Sequence, residues 1–421
     1  MTQPRSTPGI WSDEVTRRRP AAIALSLALS LIALTAGARP LPVAPLPFGR
    51  DRPLPPGAEG WAEADLGGVR GVTVGPIESA LHPRAGYGTP AGRAALVEAR
   101  QLGASWVALT PFGRVWDLQG GGVDLTFEAN REQNRRDVLT AIRAAHAEGL
   151  RVFLVPHLWV ETGGWRALID PGTDAGWARW AASYRRFILY WAEVAEEGGA
   201  ELFSVGVELR SWVTTRRAPS FAAIIAEVRS RYSGLVTYSA NWDDVERTVI
   251  LGDLDVIGIN AFYPLTEKER ASYFDLALGG QRIAADLELL ADQWQMPVLL
   301  TEMGYTTRVD PALRPWEWPD DMTDVVVDQH AQAIAYRALL APLLDGRFCA
   351  GFFAWRTYAD PDDVSQEAEW GFSPRGKLAE LVLRDAFVAP WAVDPAGTWL
   401  AAPAAHRART PGIHAWELGE N

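Results

Sequence analysis

The stretch LFSVGVEL at residues 202–209 decides how this chain folds. It is an apolar run with β-branched residues and one internal glycine, and the carboxylate of Glu208 stands near its end. An apolar run of this length between two helical patterns predicts a strand that is buried on both faces. Burying an unpaired carboxylate costs several kcal/mol. We therefore expect Glu208 where the strand meets solvent, at the mouth of the fold.

A second stretch, PVLLTEMGY at residues 297–305, repeats this pattern and carries Glu302. It also reads as a short buried strand, flanked by helical periodicity on both sides. The sequence thus predicts two buried strands that each deliver a glutamate at the C-terminal end. The rest of the chain has to supply the sheet in which both strands lie.

Strand-like apolar runs alternate with helical patterns from residue 64 to residue 388. Eight such runs predict an α/β fold, a (β/α)8 TIM barrel that forms a single catalytic domain over 64–388. A doubly wound open sheet is the other candidate, but it would require a glycine-rich phosphate loop after an early strand, and the sequence has none. The weakest helical signal lies at 242–253, which predicts a loop or a single turn there. The predicted strands are 69–75, 106–110, 151–157, 202–209, 235–239, 254–260, 297–305 and 350–355.

The segments outside this domain have a different composition. Residues 1–38 combine a basic flank, a short apolar segment and an A-x-A site, which predicts a signal peptide or a membrane anchor through residues 21–38. Residues 39–63 read as a Pro/Gly-rich linker, and 389–421 as a Pro- and Ala-rich C-terminal tail. We expect an exported protein: periplasmic, extracellular or membrane-anchored.

Composition narrows the choice of partners. A net charge of −12 argues against nucleic acid, because phosphate binding needs clustered Lys and Arg. The single cysteine, Cys349, excludes an internal disulfide and a cysteine-based metal site. We expect no metal, no cofactor and a monomer. The 19 Trp residues are unusual, and their flat apolar rings suit stacking on sugar rings, although most should be core filler.

Reactive residues of this fold sit at the C-terminal ends of the strands. Two carboxylates across a sugar-sized opening suit glycoside cleavage, where about 5 Å between them implies retention and a wider gap inversion. The alternative is a pair of rim ion pairs, with Arg210 or Arg308 as partner. Aromatic, amide and imidazole side chains at the other strand ends are candidates for substrate binding: His157, Trp159, Trp212, Asn241, Trp242, Asn260, Tyr263 and Trp355. For His157, a hydrogen bond to a neighbouring loop is an equal alternative.

The two glutamate strands and the Trp that ends the eighth strand resemble the retaining clan A glycoside hydrolases. The phrases VGVEL at 205–209 and LTEMGY at 300–305 most resemble glycoside hydrolase family 113, a group of β-mannanases, and the likeness spans about residues 69–388. The resemblance implies that Glu208 is the general acid/base and Glu302 the nucleophile. It also implies that Tyr263 hydrogen-bonds the nucleophile and that Trp355 lies under the reacting sugar.

One position departs from the clan pattern. Many clan A enzymes place Asn directly before the acid/base to bind the sugar 2-hydroxyl, and here that residue is Val207. Asn260 or Asn241 would then take that role, or the substrate differs at that carbon. The expected function is retaining hydrolysis of a β-linked polysaccharide such as β-1,4-mannan. Another β-glycanase or exo-glycosidase of the clan, or a non-catalytic glycan-binding barrel, remains an alternative.

Overall fold

The computed structural model describes residues 68–75, 84–126, 129–359 and 367–388. The predicted signal or anchor segment, the linker and the C-terminal tail lie outside these residues. Within the described ranges, no helix is both long and apolar enough to cross a membrane.

Eight parallel strands close into a barrel, with each strand paired to its neighbours in chain order. This confirms the predicted (β/α)8 fold. Two further strands, β3 (Phe112–Val115) and β5 (His157–Val160), form a separate parallel pair. The barrel strands are β1 (Val69–Val74), β2 (Trp106–Leu109), β4 (Arg151–Leu154), β6 (Leu202–Val207), β7 (Leu235–Asn241), β8 (Ile257–Asn260), β9 (Val298–Met303) and β10 (Cys349–Thr357).

Helices cover the outside of the barrel, and several begin at residues whose side chains cap them. Thr89, Asn130 and Thr173 each accept a hydrogen bond from a backbone N–H of the first turn. The connection over 242–253 contains two short 3-10 turns, where the sequence predicts a loop or a single turn. The helices are α1 (Pro90–Leu102), α2 (Arg131–Ala147), α3 (Asp174–Gly198), α4 (Arg210–Val213), α5 (Ala218–Arg229), α6 (Tyr273–Trp294), α7 (Gln329–Leu344) and α8 (Leu378–Val388).

Strands β3 and β5 extend the paired barrel strands β2 and β4 beyond the barrel. Leu109 pairs with Leu154, and three residues further along both strands Phe112 pairs with His157, so the register is preserved. Prolines interrupt the two strands at equivalent places, Pro111 and Pro156. Because proline has no N–H to donate to a ladder, the barrel strands end there and a short extension begins. The sequence had predicted residues up to 157 as part of the third barrel strand.

Apolar side chains form two layers, one inside the barrel and one between the strands and helices. The inner layer includes Trp106, Phe153, Val207, Leu299 and Phe353, all buried. Since the inner layer fills the barrel, polar side chains can gather only at its ends.

Candidate active site

Glu208 follows β6 directly, at the C-terminal mouth of the barrel. Its φ is 52°, in the left-handed region that few residues other than glycine adopt. Its backbone N–H still donates to Ser239 O at 2.9 Å, and Tyr238 Oη accepts from the N–H of Leu209 at 2.5 Å. These bonds hold the sharp turn that ends the strand. The Glu208 carboxylate is only 7% exposed.

Three donors hold the Glu208 carboxylate. Trp165 Nε1 donates to Oε2 at 2.8 Å, and the Arg166 guanidinium lies 3.2 Å from the same oxygen. The Asn260 amide donates to Oε1 at 3.1 Å. Both carboxylate oxygens are therefore hydrogen-bonded, and one cation balances the charge.

Glu302 lies within β9 and is 5% exposed. Burial raises its pKa from 4.5 to about 7, while Arg166, Arg356 and a hydrogen bond from Asn260 oppose that rise. His157 Nε2 lies 2.9 Å from Glu302 Oε1. His157 thus bonds the Glu302 carboxyl directly, while Arg166, Arg356 and Asn260 favour its ionised form.

His157, the first residue of β5, is itself fully enclosed. Burial lowers its pKa well below the ordinary value, and the charge of Arg166 lowers it further. The imidazole is therefore neutral at neutral pH. When Glu302 is ionised its carboxylate can only accept, so Nε2–H then donates to it. His157 was expected to contact a sugar hydroxyl or a neighbouring loop. The structure instead brings it to a carboxylate.

Asn260, at the end of β8, contacts Glu208 and pairs in the sheet register with Glu302. Its amide nitrogen donates to Glu208 Oε1 at 3.1 Å, and Asn260 also opposes the rise in the pKa of Glu302. Its carbonyl oxygen accepts from Thr301 Oγ1 at 3.0 Å, which fixes the orientation of the amide. One buried amide thus acts on both carboxyl groups.

Trp355 lies in β10 beside this pair, and the peptide bond that follows it is cis. Its ring meets the His157 ring edge to face at 6.0 Å, and the Arg356 guanidinium lies 5.0 Å from its centroid. An apolar ring beside the two carboxyl groups offers the kind of surface on which a sugar ring stacks.

Comparison with known proteins decides the family. A family model, Glycoside Hydrolase Family 113, matches residues 79–377. The chain belongs to glycoside hydrolase family 113. It is similar in structure to the family 113 β-mannanase AaManA from Alicyclobacillus acidocaldarius in complex with ManMIm, with 26% identity and a TM-score of 0.64, over 77% of this chain and 98% of that one. A family 113 β-1,4-mannanase has the same fold, with 23% identity and a TM-score of 0.64 over 76% of this chain and 99% of that one. Curated protein sequences gave no match.

The chain is therefore a glycoside hydrolase, and the alternative ion pairs at its rim are not formed. Arg210 pairs with Asp243 and Asp244, and Arg308 pairs with Glu317 at 2.7 Å. Glu208 instead forms an ion pair with Arg166, which lies in the loop that follows β5.

Aromatic residues stand on two sides of this family 113 site. On one side, Trp242 stacks with Trp316 at 5.4 Å and meets Tyr263 at 5.6 Å. On the other side, Trp159 is 41% exposed on the extension β3–β5, and Arg114 packs against its ring at 5.6 Å. A role of Trp159 and Trp242 in substrate binding stays a prediction.

Two expected contacts are absent, and the physical reasons differ. In the part of the chain that the structure describes, the Tyr263 hydroxyl makes no hydrogen bond to Glu302. The tyrosine ring packs on Trp242, and His157 is the residue that bonds Glu302 Oε1. Trp212 is not at the mouth. It lies in α4 at 1% exposure, where its ring contacts Tyr184 and Phe221 and its Nε1 donates to Ser220.

Asn241 ends β7 beside Asn260, as predicted. Its amide nitrogen donates to Asp243 Oδ1 at 2.6 Å. Its carbonyl oxygen has no hydrogen-bond donor among the described residues, so it is free to accept one from a ligand. No group of three His, Cys, Asp or Glu side chains within those residues is arranged to hold a metal ion.

Proposed function

We propose that this family 113 enzyme hydrolyses β-1,4-linked mannan with retention, with Glu302 as nucleophile and Glu208 as general acid/base. The observation that supports this most is the placement of two buried glutamates at one mouth, where Asn260 donates to Glu208 and pairs in the sheet register with Glu302. Retention is supported by the resemblance of the two glutamate strands to the retaining clan A glycoside hydrolases. It requires the two carboxyl groups to lie ~5–5.5 Å apart, whereas inversion requires ~6.5–9.5 Å.

In the first step, an oxygen of Glu302 bonds to the anomeric carbon as the glycosidic C–O bond breaks. Glu208 gives its proton to the departing oxygen. The neutral His157 donates to one oxygen of Glu302, which orients the carboxylate without adding a charge that would weaken its attack. Glu302 must be ionised for this step: burial raises its pKa to about 7, and Arg166 and Arg356 oppose that rise.

In the second step, water replaces the sugar that has left. Glu208, now ionised, takes a proton from this water, whose oxygen bonds to the anomeric carbon as the bond to Glu302 breaks. Trp165 and Arg166 hold Glu208 Oε2 as it alternates between the acid and the carboxylate. Both glutamates return to their starting states.

Mannan as substrate is supported by the similarity to β-mannanase AaManA and by the residues around the acids. Val207 is buried in the inner layer of the barrel and cannot replace a sugar-binding amide. Asn260 is hydrogen-bonded to Glu208 and Thr301, which leaves the Asn241 carbonyl oxygen as the better candidate for a sugar hydroxyl.

The test is an assay on mannan, β-glucan and xylan, with the anomeric configuration of the first product followed by NMR. We expect cleavage of mannan with release of the β-anomer. Release of the α-anomer would refute double displacement, and cleavage of another polysaccharide alone would refute the substrate. Glu208→Gln and Glu302→Gln should each lower turnover by orders of magnitude. Glu193→Gln, the same change at an exposed site on α3, serves as the matched control.

Azide separates the two roles. In Glu208→Ala, azide should replace water in the second step and yield a β-mannosyl azide. In Glu302→Ala, azide should attack the substrate directly from the opposite face and yield the α-mannosyl azide. The reverse pattern would exchange the two assignments.

A further inference from the structure

A cavity of about 640 Å³ lies in the loop between β9 and α7. Its volume is within the range of sites that hold small molecules, about 300–1,000 Å³. Neither Glu208 nor Glu302 lines it. The lining includes Arg308, Trp316, Glu317, Trp318, Asp321 and Val326.

The aromatic wall of this cavity is held in place from behind. The Trp318 ring packs against Phe372 at 6.0 Å and against the Arg356 guanidinium at 5.3 Å. Arg308 pairs with Glu317 across the loop at 2.7 Å, and an antiparallel bridge joins Arg308 to Val327. The cavity is therefore a formed structure rather than a gap between unconnected loops.

Two contacts connect the cavity to the mouth of the barrel. Trp316, at 47% exposure, stacks on Trp242, which directly follows β7. Arg356 lies between Trp318 and Trp355, with its guanidinium within 5.3 Å of both rings. Trp242 and Arg356 thus link the lining of the cavity to residues at the mouth.

We propose that this cavity is a distal subsite that takes a neutral pyranose unit of the same glycan chain. Trp316 and Trp318 supply rings for the C–H faces of a sugar, and the exposed carboxylates Asp321 and Asp324 supply acceptors for hydroxyl groups. The cations Arg308 and Arg314 both pair with Glu317. The carboxylates of Asp321 and Asp324 add negative charge to the cavity, which disfavours binding of an anionic sugar. This inference rests on the proposed function for the identity of the sugar.

The experiment fills the cavity without changing the catalytic residues. Thr323→Trp and Val326→Trp each place a large ring at an exposed lining position. Thr140→Trp, on the exposed side of α2, is the matched control. The kcat/KM of each variant is measured for β-1,4-mannooligosaccharides of increasing length, and binding of the same series is measured by calorimetry in a Glu302→Gln background.

For long chains, we expect both filling variants to lose about tenfold in kcat/KM and in affinity, equivalent to ~1.4 kcal/mol. For the shortest chain that is cleaved, we expect kcat/KM and affinity to stay unchanged. Equal behaviour of the filling variants and Thr140→Trp at every length would overturn the subsite while leaving the proposed function intact. If the parent enzyme cleaves no mannan, the proposed function fails. In that case the filling variants and Thr140→Trp are compared by calorimetry with neutral β-glucan and xylan oligosaccharides. Weaker binding of long chains by the filling variants alone supports the subsite, and equal binding by all three overturns it.

Discussion

Replacing Glu302 by glutamine should stabilise the folded protein at alkaline pH while abolishing its activity. The Glu302 carboxyl is 5% exposed, and burial raises its pKa from 4.5 to about 7. Between pH 4.5 and about pH 7, the folded state keeps a proton that the unfolded state releases. The free energy of unfolding therefore falls as the pH rises through this range. The rise in pKa corresponds to about 3 kcal/mol at 1.36 kcal/mol per pH unit. Glutamine carries no charge and avoids this cost.

The assay is thermal and urea unfolding of wild type and Glu302→Gln at about pH 4 and about pH 8. We expect equal stabilities at the lower pH, where Glu302 is protonated in both states. At the higher pH the variant should be more stable by up to about 3 kcal/mol, or several degrees in Tm. Glu193→Gln, at an exposed ion pair, should show no such gain. A Glu302→Gln variant that is no more stable than wild type at the higher pH would refute the reasoning.

Three further predictions concern the neighbours of the two acids. Arg166→Met should raise the pKa of Glu302, because Arg166 lowers it, and should move the pH range over which stability falls to higher values; an unchanged range in unfolding experiments would contradict this. Asn260→Ala should cost about 1–3 kcal/mol and lower kcat far more than it raises KM, which steady-state kinetics and urea unfolding measure. Trp212→Ala should cost ~3–5 kcal/mol of stability yet keep kcat per folded molecule near normal, whereas a loss of kcat would return Trp212 to the site.

The barrel could be predicted from sequence because its strands are short apolar runs between amphipathic helices, and such patterns are local. The positions of Glu208 and Glu302 followed from the same patterns, since the C-terminal ends of parallel strands meet at one face. Trp212 shows the limit of that rule. It also comes just after a strand, but α4 turns its ring back into the aromatic core.

The partners of Glu208 could not be predicted, because the contacts are distant in sequence and carry no periodic signal. Trp165 and Arg166 lie in an irregular loop and reach Glu208 across about forty residues. His157 ended a predicted strand, yet its bond to Glu302 depends on the extension β3–β5. The sequence marks that extension only by Pro111 and Pro156.

The extension β3–β5 carries both a residue that bonds Glu302 and an exposed aromatic ring, at different distances from the barrel. Strands β3 and β5 form a two-stranded sheet of their own, beyond the closed ring of barrel strands. Its inner end carries His157, bonded to Glu302, and two residues outward it carries Trp159. Insertions at its outer end would lengthen the surface that carries Trp159 while leaving His157 in place. The outer end of the extension can therefore vary without a change at the residue that bonds Glu302.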